Sequence, residues 1–407
     1  MPQAGTEHST RHQDASLEGA AETAGRPLIG LRVIEIGHSI AAPYAGMVLG
    51  ELGADVIKVE NPRTGDYARG WGPPFSPNGT ASIFEAVNRA KRSVALNLAD
   101  PKDRGALKEI VERDCDVLIH NLKFGAMEKL GLSSGELLAV NPRLIYCNLG
   151  AFGAVGPLRE RPGYDPLMQA FGGIMSMLGE EHGPPMRVGV SMIDISTGMW
   201  SVIGILSALQ RRIRTGRGGV VDTSLFESAL AWMSVPMAAY KSCGSIPTKA
   251  GSGTVQIVPY QAFAVSDGYL MVAAGNDNLF RRLAGIIGQP ELADDDRFRT
   301  NADRVVHRAQ IISILEAAFA SKTTADWVER LDAGGVPSGP IHTIDQVAAH
   351  PQTEALGIIQ TAPGGGLSLV GLPLSFDGVR PGFDRGPPAL GEHGDEILTI
   401  QQGSSVA

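Results

Sequence analysis

Beyond residue 30 the apolar positions fall into short continuous runs separated by stretches of helical periodicity. Residues 32–36 (Arg-Val-Ile-Glu-Ile) read as a buried strand ending at Gly37. The next segment, opened by Pro43 and closed at Gly53, reads as a helix, and residues 54–60 as a second strand. Together they predict a βαβ unit. The alternation continues with a helix over 101–113, a strand over 116–120, a short helix to Leu130, a helix over 133–140 and a strand over 144–148. A helix over 194–214, a turn at Thr215-Gly-Arg-Gly-Gly219, a strand over 220–223 and a helix to Tyr240 follow. Strands alternating with helices imply a parallel sheet covered on both faces. No G-x-G-x-x-G follows the first strand, so the layout is Rossmann-like without a dinucleotide fingerprint.

Around 242–255 the chain becomes Gly-rich and loses its periodicity, which marks a domain switch. Strands over 260–265 and 269–273, helices over 278–286 and 324–331, and Gly/Pro-rich turns up to Pro388 then predict a smaller α/β domain. The last periodic piece, 394–401, is placed back on the first domain. The expected organisation is a disordered tail over 1–26, a large Rossmann-like domain over 27–232 and 377–402, and a linker with the small domain over 233–376.

Composition narrows the partners. The 407 residues carry 35 Lys and Arg against 43 Asp and Glu, a net charge of −8 with no basic block. A grip on nucleic acid or an anionic membrane needs a basic face, so neither partner is expected. The 51 glycines and 26 prolines exceed ordinary usage, and many of the glycines belong in structured turns. Cys115, Cys147 and Cys243 supply neither a disulfide framework nor a zinc quartet, which points to a reducing, cytoplasmic setting. The first 26 residues carry Glu7, Asp14, Glu18 and Glu22 and lack the apolar run of a targeting segment. The most apolar stretch, 195–210, falls short of the ~20 residues of a bilayer span and reads as a buried helix.

Two carboxylates stand out. Asp165 lies in Gly163-Tyr-Asp-Pro-Leu, before a helix with apolar Leu167, Phe171 and Ile174, with Pro166 as its first residue. It is either a plain N-cap or a fixed, ionised nucleophile near the carboxyl ends of the strands, where open α/β sheets form ligand crevices. Asp194, before the next helix, is likewise a cap or an acid/base. His38 follows the first strand as a possible base or a satisfied strand-end histidine. The histidines show no metal spacing, and no G-x-S-x-G elbow exists, so metal and serine-nucleophile chemistry are not expected. Lys91, Arg92, Asn121, Lys123 and Lys129 stand at strand ends and helix starts; singly they are surface groups, and together they suit a phosphorylated adenosine.

Several blocks then match one family. They are Gly30-Leu-Arg-Val-Ile-Glu35, Leu52-Gly-Ala-Asp-Val-Ile-Lys-Val-Glu60, the run from Asn88 to Leu98, Asn121-Leu-Lys-Phe-Gly-Ala-Met-Glu-Lys-Leu-Gly131, Asn141-Pro-Arg-Leu-Ile-Tyr146 and Thr215-Gly-Arg-Gly218. In these blocks the chain resembles the family III CoA-transferases, which include formyl-CoA:oxalate and carnitine CoA-transferases and share their fold with the α-methylacyl-CoA racemases. The resemblance covers about residue 27 to the C-terminus. It implies a ring-shaped two-domain subunit and an interlocked homodimer. It also implies that Asp165 is the nucleophile and that CoA is contacted at Asn88, Lys91, Asn121, Lys123, Lys129, Gly150 and Gly153, with a glycine loop at Gly251 and Gly253 over the active site.

Departures from the pattern carry information too. Where formyl-CoA transferase has Gln, Lys and an all-Gly loop, this chain has Ile40, Gly150 and Ser252. The racemases place a His before the Asp matching Asp165 and pair it with an Asp matching Asp194; here that His is Tyr164. A phenol with an unperturbed pKa of about 10 is a poor base near neutral pH, which favours transferase over racemase. The resemblance therefore implies CoA transfer from an acyl-CoA, with succinyl-CoA the candidate donor, to a small carboxylic or dicarboxylic acid through an aspartyl-CoA thioester. An acyl-CoA racemase or isomerase of the same fold is the alternative. No cofactor or metal is called for, since the CoA thioesters are substrates.

Overall fold

The computed structural model describes residues 25–399. Most of the tail expected over 1–26 lies outside the described residues, as do 400–402. Gly25 and Arg26 depart from the tail: Gly25 is buried, and the Arg26 guanidinium pairs with Asp384 at 3.1 Å.

Of the described residues, 25–172, 190–232 and 351–399 form one compact unit, and 173–189 with 233–350 form another. The return to the first unit comes at 351 rather than the expected 377. The reason is a hairpin of β10 (Ile359–Thr361) and β11 (Ser368–Val370), whose Val370 carbonyl accepts a hydrogen bond of 2.6 Å from Arg89. Ala362 of the same segment packs with Ala90 and Phe383. Residues 173–189 belong to the second unit, where Gly179 accepts from the Gly251 N–H at 3.1 Å and Gly183 accepts from Lys249.

The first unit is built on six parallel strands: β1 (Arg32–Ile36), β2 (Asp55–Glu60), β3 (Lys91–Ala95), β4 (Val117–His120), β5 (Ile145–Gly150) and β6 (Gly219–Ser224). Their order is β3-β2-β1-β4-β5-β6. Val33 of β1 pairs with Val56 of β2 on one side and Val117 of β4 on the other, so the strand is buried on both edges as well as both faces. That is why it reads as a continuous apolar run. The order makes β1 and β4 the point where the sheet's progression reverses, and the crevice beyond their carboxyl ends is where such sheets take ligands.

The helices are α1 (Ala41–Glu51), α2 (Ser82–Asn88), α3 (Pro101–Asp114), α4 (Ala126–Lys129), α5 (Ser134–Val140), α6 (Asp165–Phe171), α7 (Met192–Thr215) and α8 (Leu225–Trp232). Local chemistry starts them: Asp100 accepts from the Lys102 N–H ahead of α3, and Ser133 and Glu136 form a capping box on α5. At 24 residues α7 outruns the apolar stretch seen in the sequence, because Met192–Asp194 and its Arg-rich end extend it. By length and composition alone it is long enough to cross a membrane, and half of its apolar window is buried in the chain. It buries Ile193, Val202, Ile205 and Ala208 in the unit's interior, each worth about 1.5–3 kcal/mol for the larger side chains. Gly198 makes this close approach possible, since a Cβ there would lie 2.8 Å from the Ala41 carbonyl oxygen of α1. The opposite face of the sheet holds Ile34, Ile57, Leu118, Leu107 and Ile110, joined by Ile397 from the C-terminal helix Gly394–Thr399.

The helix expected to run to Tyr240 is broken at Met233. A new helix, Ser234–Cys243, starts there, with Pro236 in its first turn where no N–H is needed. In the second unit β7 (Tyr260–Val265), β8 (Gly268–Ala273) and β9 (Ser338–Pro340) form an antiparallel sheet. Helices pack on it around Phe263, Phe280, Phe319 and Trp327.

Candidate active site

A cavity of about 240 Å³ opens at the carboxyl ends of the strands of the first unit, lined wholly by that unit. His38 and Ser39 reach it from the end of β1, Asn121 to Phe124 from the end of β4, Gly150 and Gly153 from the end of β5. It therefore sits at the reversal point between β1 and β4. The loop before α6 adds Arg159, Glu160, Arg161 and Tyr164, and α7 adds Asp194.

The loop after β1 is held at every backbone turn. Asn121 accepts from the His38 N–H at 3.0 Å and donates to the His38 carbonyl at 2.8 Å. Lys58 donates to the Gly37 carbonyl at 2.9 Å, and Asp66 accepts from the Ser39 N–H at 2.9 Å. Ser39 needs this restraint, because its φ of 69° lies in the left-handed region disfavoured for a side-chain-bearing residue. His38 Nδ1 meets Ser39 Oγ at 3.0 Å, and burial lowers the imidazole below its ordinary pKa, so it is neutral at pH 7.

The two carboxylates singled out in the sequence occupy different surroundings. Asp165 stands in the first turn of α6, with Tyr164 rather than Asp165 at the cap position. It is 2% exposed and does not line the cavity. One oxygen accepts from the Ile193 N–H at 2.7 Å and the Asp194 N–H at 3.3 Å; the other accepts from Gln169 at 2.6 Å. The expected nucleophile is thus enclosed, its lone pairs occupied by donors from α6 and α7. Asp194 does line the cavity. Among the described residues its carboxylate accepts no hydrogen bond, and burial together with the adjacent Asp165 pushes its pKa up to about 7.

The expected CoA contacts divide. Asn121, Lys123, Gly150 and Gly153 line the cavity, although Asn121 spends its amide on the His38 backbone. Lys129 is exposed at the end of α4, next to Leu130 of a neighbouring cavity of about 300 Å³. Asn88 and Lys91 are not on any rim: both are fully buried. Lys91 Nζ donates to Glu35 at 2.6 Å, the Pro43 carbonyl at 2.7 Å and Asn88 at 2.8 Å. Strand β3 carries Lys91 under α1, which is why a residue expected in solvent ends up in an ion network. Gly251 and Gly253 belong to the second unit, in a turn where Gly251 has φ +58° and Ser252 accepts from the Ala262 N–H at 3.0 Å.

Arg159 and Arg161 were missed as site residues, since charged positions in a loop carry no periodic signal. Arg159 lies over Phe124 and Arg161 over Phe152, at 4.9 and 5.8 Å from the ring centroids. With Lys123 they put three basic side chains on the cavity, against Glu160, which pairs with Arg159 at 3.5 Å. No group of His, Cys, Asp and Glu among the described residues is arranged to hold a metal ion.

The strand order and the crevice at its reversal point define a doubly wound α/β protein of the Rossmann-like type. More narrowly, residues 28–394 match the profile of CoA-transferase family III, and the chain belongs to that family. It is 37% identical over 380 residues to the succinate–glutarate CoA-transferase of Agrobacterium fabrum, spanning 91% of this chain and 95% of that protein. An acetyl-CoA:oxalate CoA-transferase of Acetobacter aceti is 38% identical over 370 residues, 90% of this chain and 94% of that one. The crystal structure of a CAIB/BAIF family protein from Brucella suis superposes with a TM-score of 0.83 at 41% identity, covering 92% of this chain and 99% of that one.

Proposed function

We propose that this CoA-transferase moves CoA from succinyl-CoA to a short dicarboxylic acid of the glutarate class, with Asp194 as the nucleophile. The observation that carries the assignment is that Asp194 alone of the two carboxylates faces the cavity with its oxygens unengaged. The dicarboxylate class rests on the relatives named for glutarate and oxalate.

An Asp194 oxygen attacks the thioester carbonyl of the donor; the C–S bond breaks, the electron pair leaves on the CoA thiolate, and a mixed anhydride joins Asp194 to the donor acyl group. The thiolate attacks the Asp194 carbonyl, expels the donor as a free carboxylate and leaves an aspartyl-CoA thioester. The acceptor carboxylate attacks that thioester, releasing the thiolate and forming a second anhydride. Attack by the thiolate on the acceptor carbonyl then yields the new acyl-CoA and regenerates the Asp194 carboxylate. A carboxylate displacing a thiolate is uphill in basicity, and a nucleophile raised to about 7 against an ordinary thiol at about 8.5 closes most of that gap. Binding of the nucleotide at the Lys123, Arg159 and Arg161 rim holds the leaving thiolate in place for the return attack.

The partner is a second copy of the chain, as the family resemblance implies. Support comes from α7, whose outer face exposes Met199, Trp200, Ile203 and Leu206 at helical spacing. The free cysteines Cys115, Cys147 and Cys243 fit a reducing cytoplasm. The activity is tested by mixing succinyl-CoA with isotopically labelled glutarate and following thioesters by mass spectrometry. Labelled glutaryl-CoA with stoichiometric succinate is the expected product; succinyl-CoA hydrolysis alone, or α-deuteration of an acyl-CoA without exchange, contradicts it.

A further inference from the structure

We propose that Asp165 is a positioning residue: it caps the N-terminus of α7 from outside the helix, in place of the Ser191 side chain, and thereby sets its carboxylate beside Asp194, whose own side chain is left to the cavity. The inference rests on Asp194 being the nucleophile. Helix α7 begins at Met192, so Ile193 and Asp194 lie in its first turn, where backbone N–H groups have no acceptor within the helix. Ordinarily the residue just before the first turn takes those donors with its own side chain. Ser191 stands there and its side chain makes no such bond. An acidic residue in the third position ordinarily folds back to the N–H of the residue just before the helix. Asp194 holds that position, yet its carboxylate is not so engaged.

Asp165 fills the vacancy. Its Oδ2 takes the Ile193 and Asp194 N–H groups, and Gln169, one turn along α6, fixes the other oxygen. The Asp165 carboxylate therefore meets the positive end of the α7 dipole. Asp194 follows with the Asp165 carboxylate on its own N–H and its side chain on the cavity. The other ionisable side chains on the cavity are Lys123, Arg159, Glu160, Arg161 and Tyr164. His38 is held neutral by burial. Among the described residues, burial and then the adjacent Asp165 carboxylate raise the Asp194 pKa.

The test compares Asp165→Asn with wild type. Asparagine still offers an oxygen to the two N–H groups but carries no charge. The acid limb of kcat/KM, set near pH 7 by Asp194, is expected to move down by on the order of one pH unit. In the same samples, acyl-CoA followed by hydroxylamine should label Asp194 in both proteins. Labelling at Asp194 with an unmoved acid limb overturns the role given to Asp165 and leaves the nucleophile standing. Absence of label at Asp194 in wild type overturns the nucleophile itself. Asp165→Ser, a smaller neutral cap, is the second variant, and an unmoved limb there also counts against the inference.

Discussion

At the scale of single residues, the burial of Asp194 beside Asp165 costs stability. Its pKa of about 7 in the folded protein lies above the ~4 of an aspartate in the unfolded chain. The folded state therefore binds more protons than the unfolded one between those values, and the contribution of this group to stability falls as pH rises through that window. Asp194→Asn removes the titration. The variant should melt a few degrees above wild type at pH 8, with the gap closing as the pH falls toward 4, while losing on the order of 1,000-fold or more in turnover. Calorimetry at pH 4, 6 and 8 checks the sign; an advantage independent of pH contradicts it. Both carboxylates of this pair were visible in the sequence as acids at helix starts. Which of them faces the cavity was not, because two of the donors that enclose Asp165 come from a helix 27 residues further along the chain, and helix-cap patterns describe only local donors.

Among the elements, the sheet's polar interior distinguishes the structure from the sequence pattern. Strand β3 went unread because it opens with Lys91 and Arg92, which look like solvent-facing charges. Glu35 of β1 is what admits Lys91 to the interior: it accepts from Lys58 at 2.8 Å and Lys91 at 2.6 Å, all three fully buried. On the far side Asp55 pairs with Arg92 at 2.6 Å. Strands with apolar runs and helices with capping boxes, such as β1 and α5, were legible because their signals are local. A charged strand is legible only with its partners from two other strands in view. Glu35→Gln should destabilise the fold by about 3–5 kcal/mol, since buried Lys91 loses its carboxylate partner while Lys58 keeps Asp66 at 2.9 Å. Urea unfolding measures this, and the KM for acyl-CoA in the folded variant should stay within about twofold of wild type. A raised KM with unchanged stability would return Lys91 to the nucleotide site.

For the whole molecule, the expected species is a dimer of twice 42.8 kDa, seen by light scattering after size exclusion. Ile203→Asp, on the exposed face of α7, should shift it toward monomer; a monomeric wild type would instead leave that apolar face unexplained. The transfer chemistry is tested most directly by trapping. Wild-type protein is incubated with succinyl-CoA, quenched with hydroxylamine and digested, and the peptides bearing Asp165 and Asp194 are read by mass spectrometry. A hydroxamate on Asp194, absent without succinyl-CoA, is the predicted result, because only an acylated carboxylate is electrophilic. A hydroxamate on Asp165, or none on either residue while exchange proceeds, would contradict it.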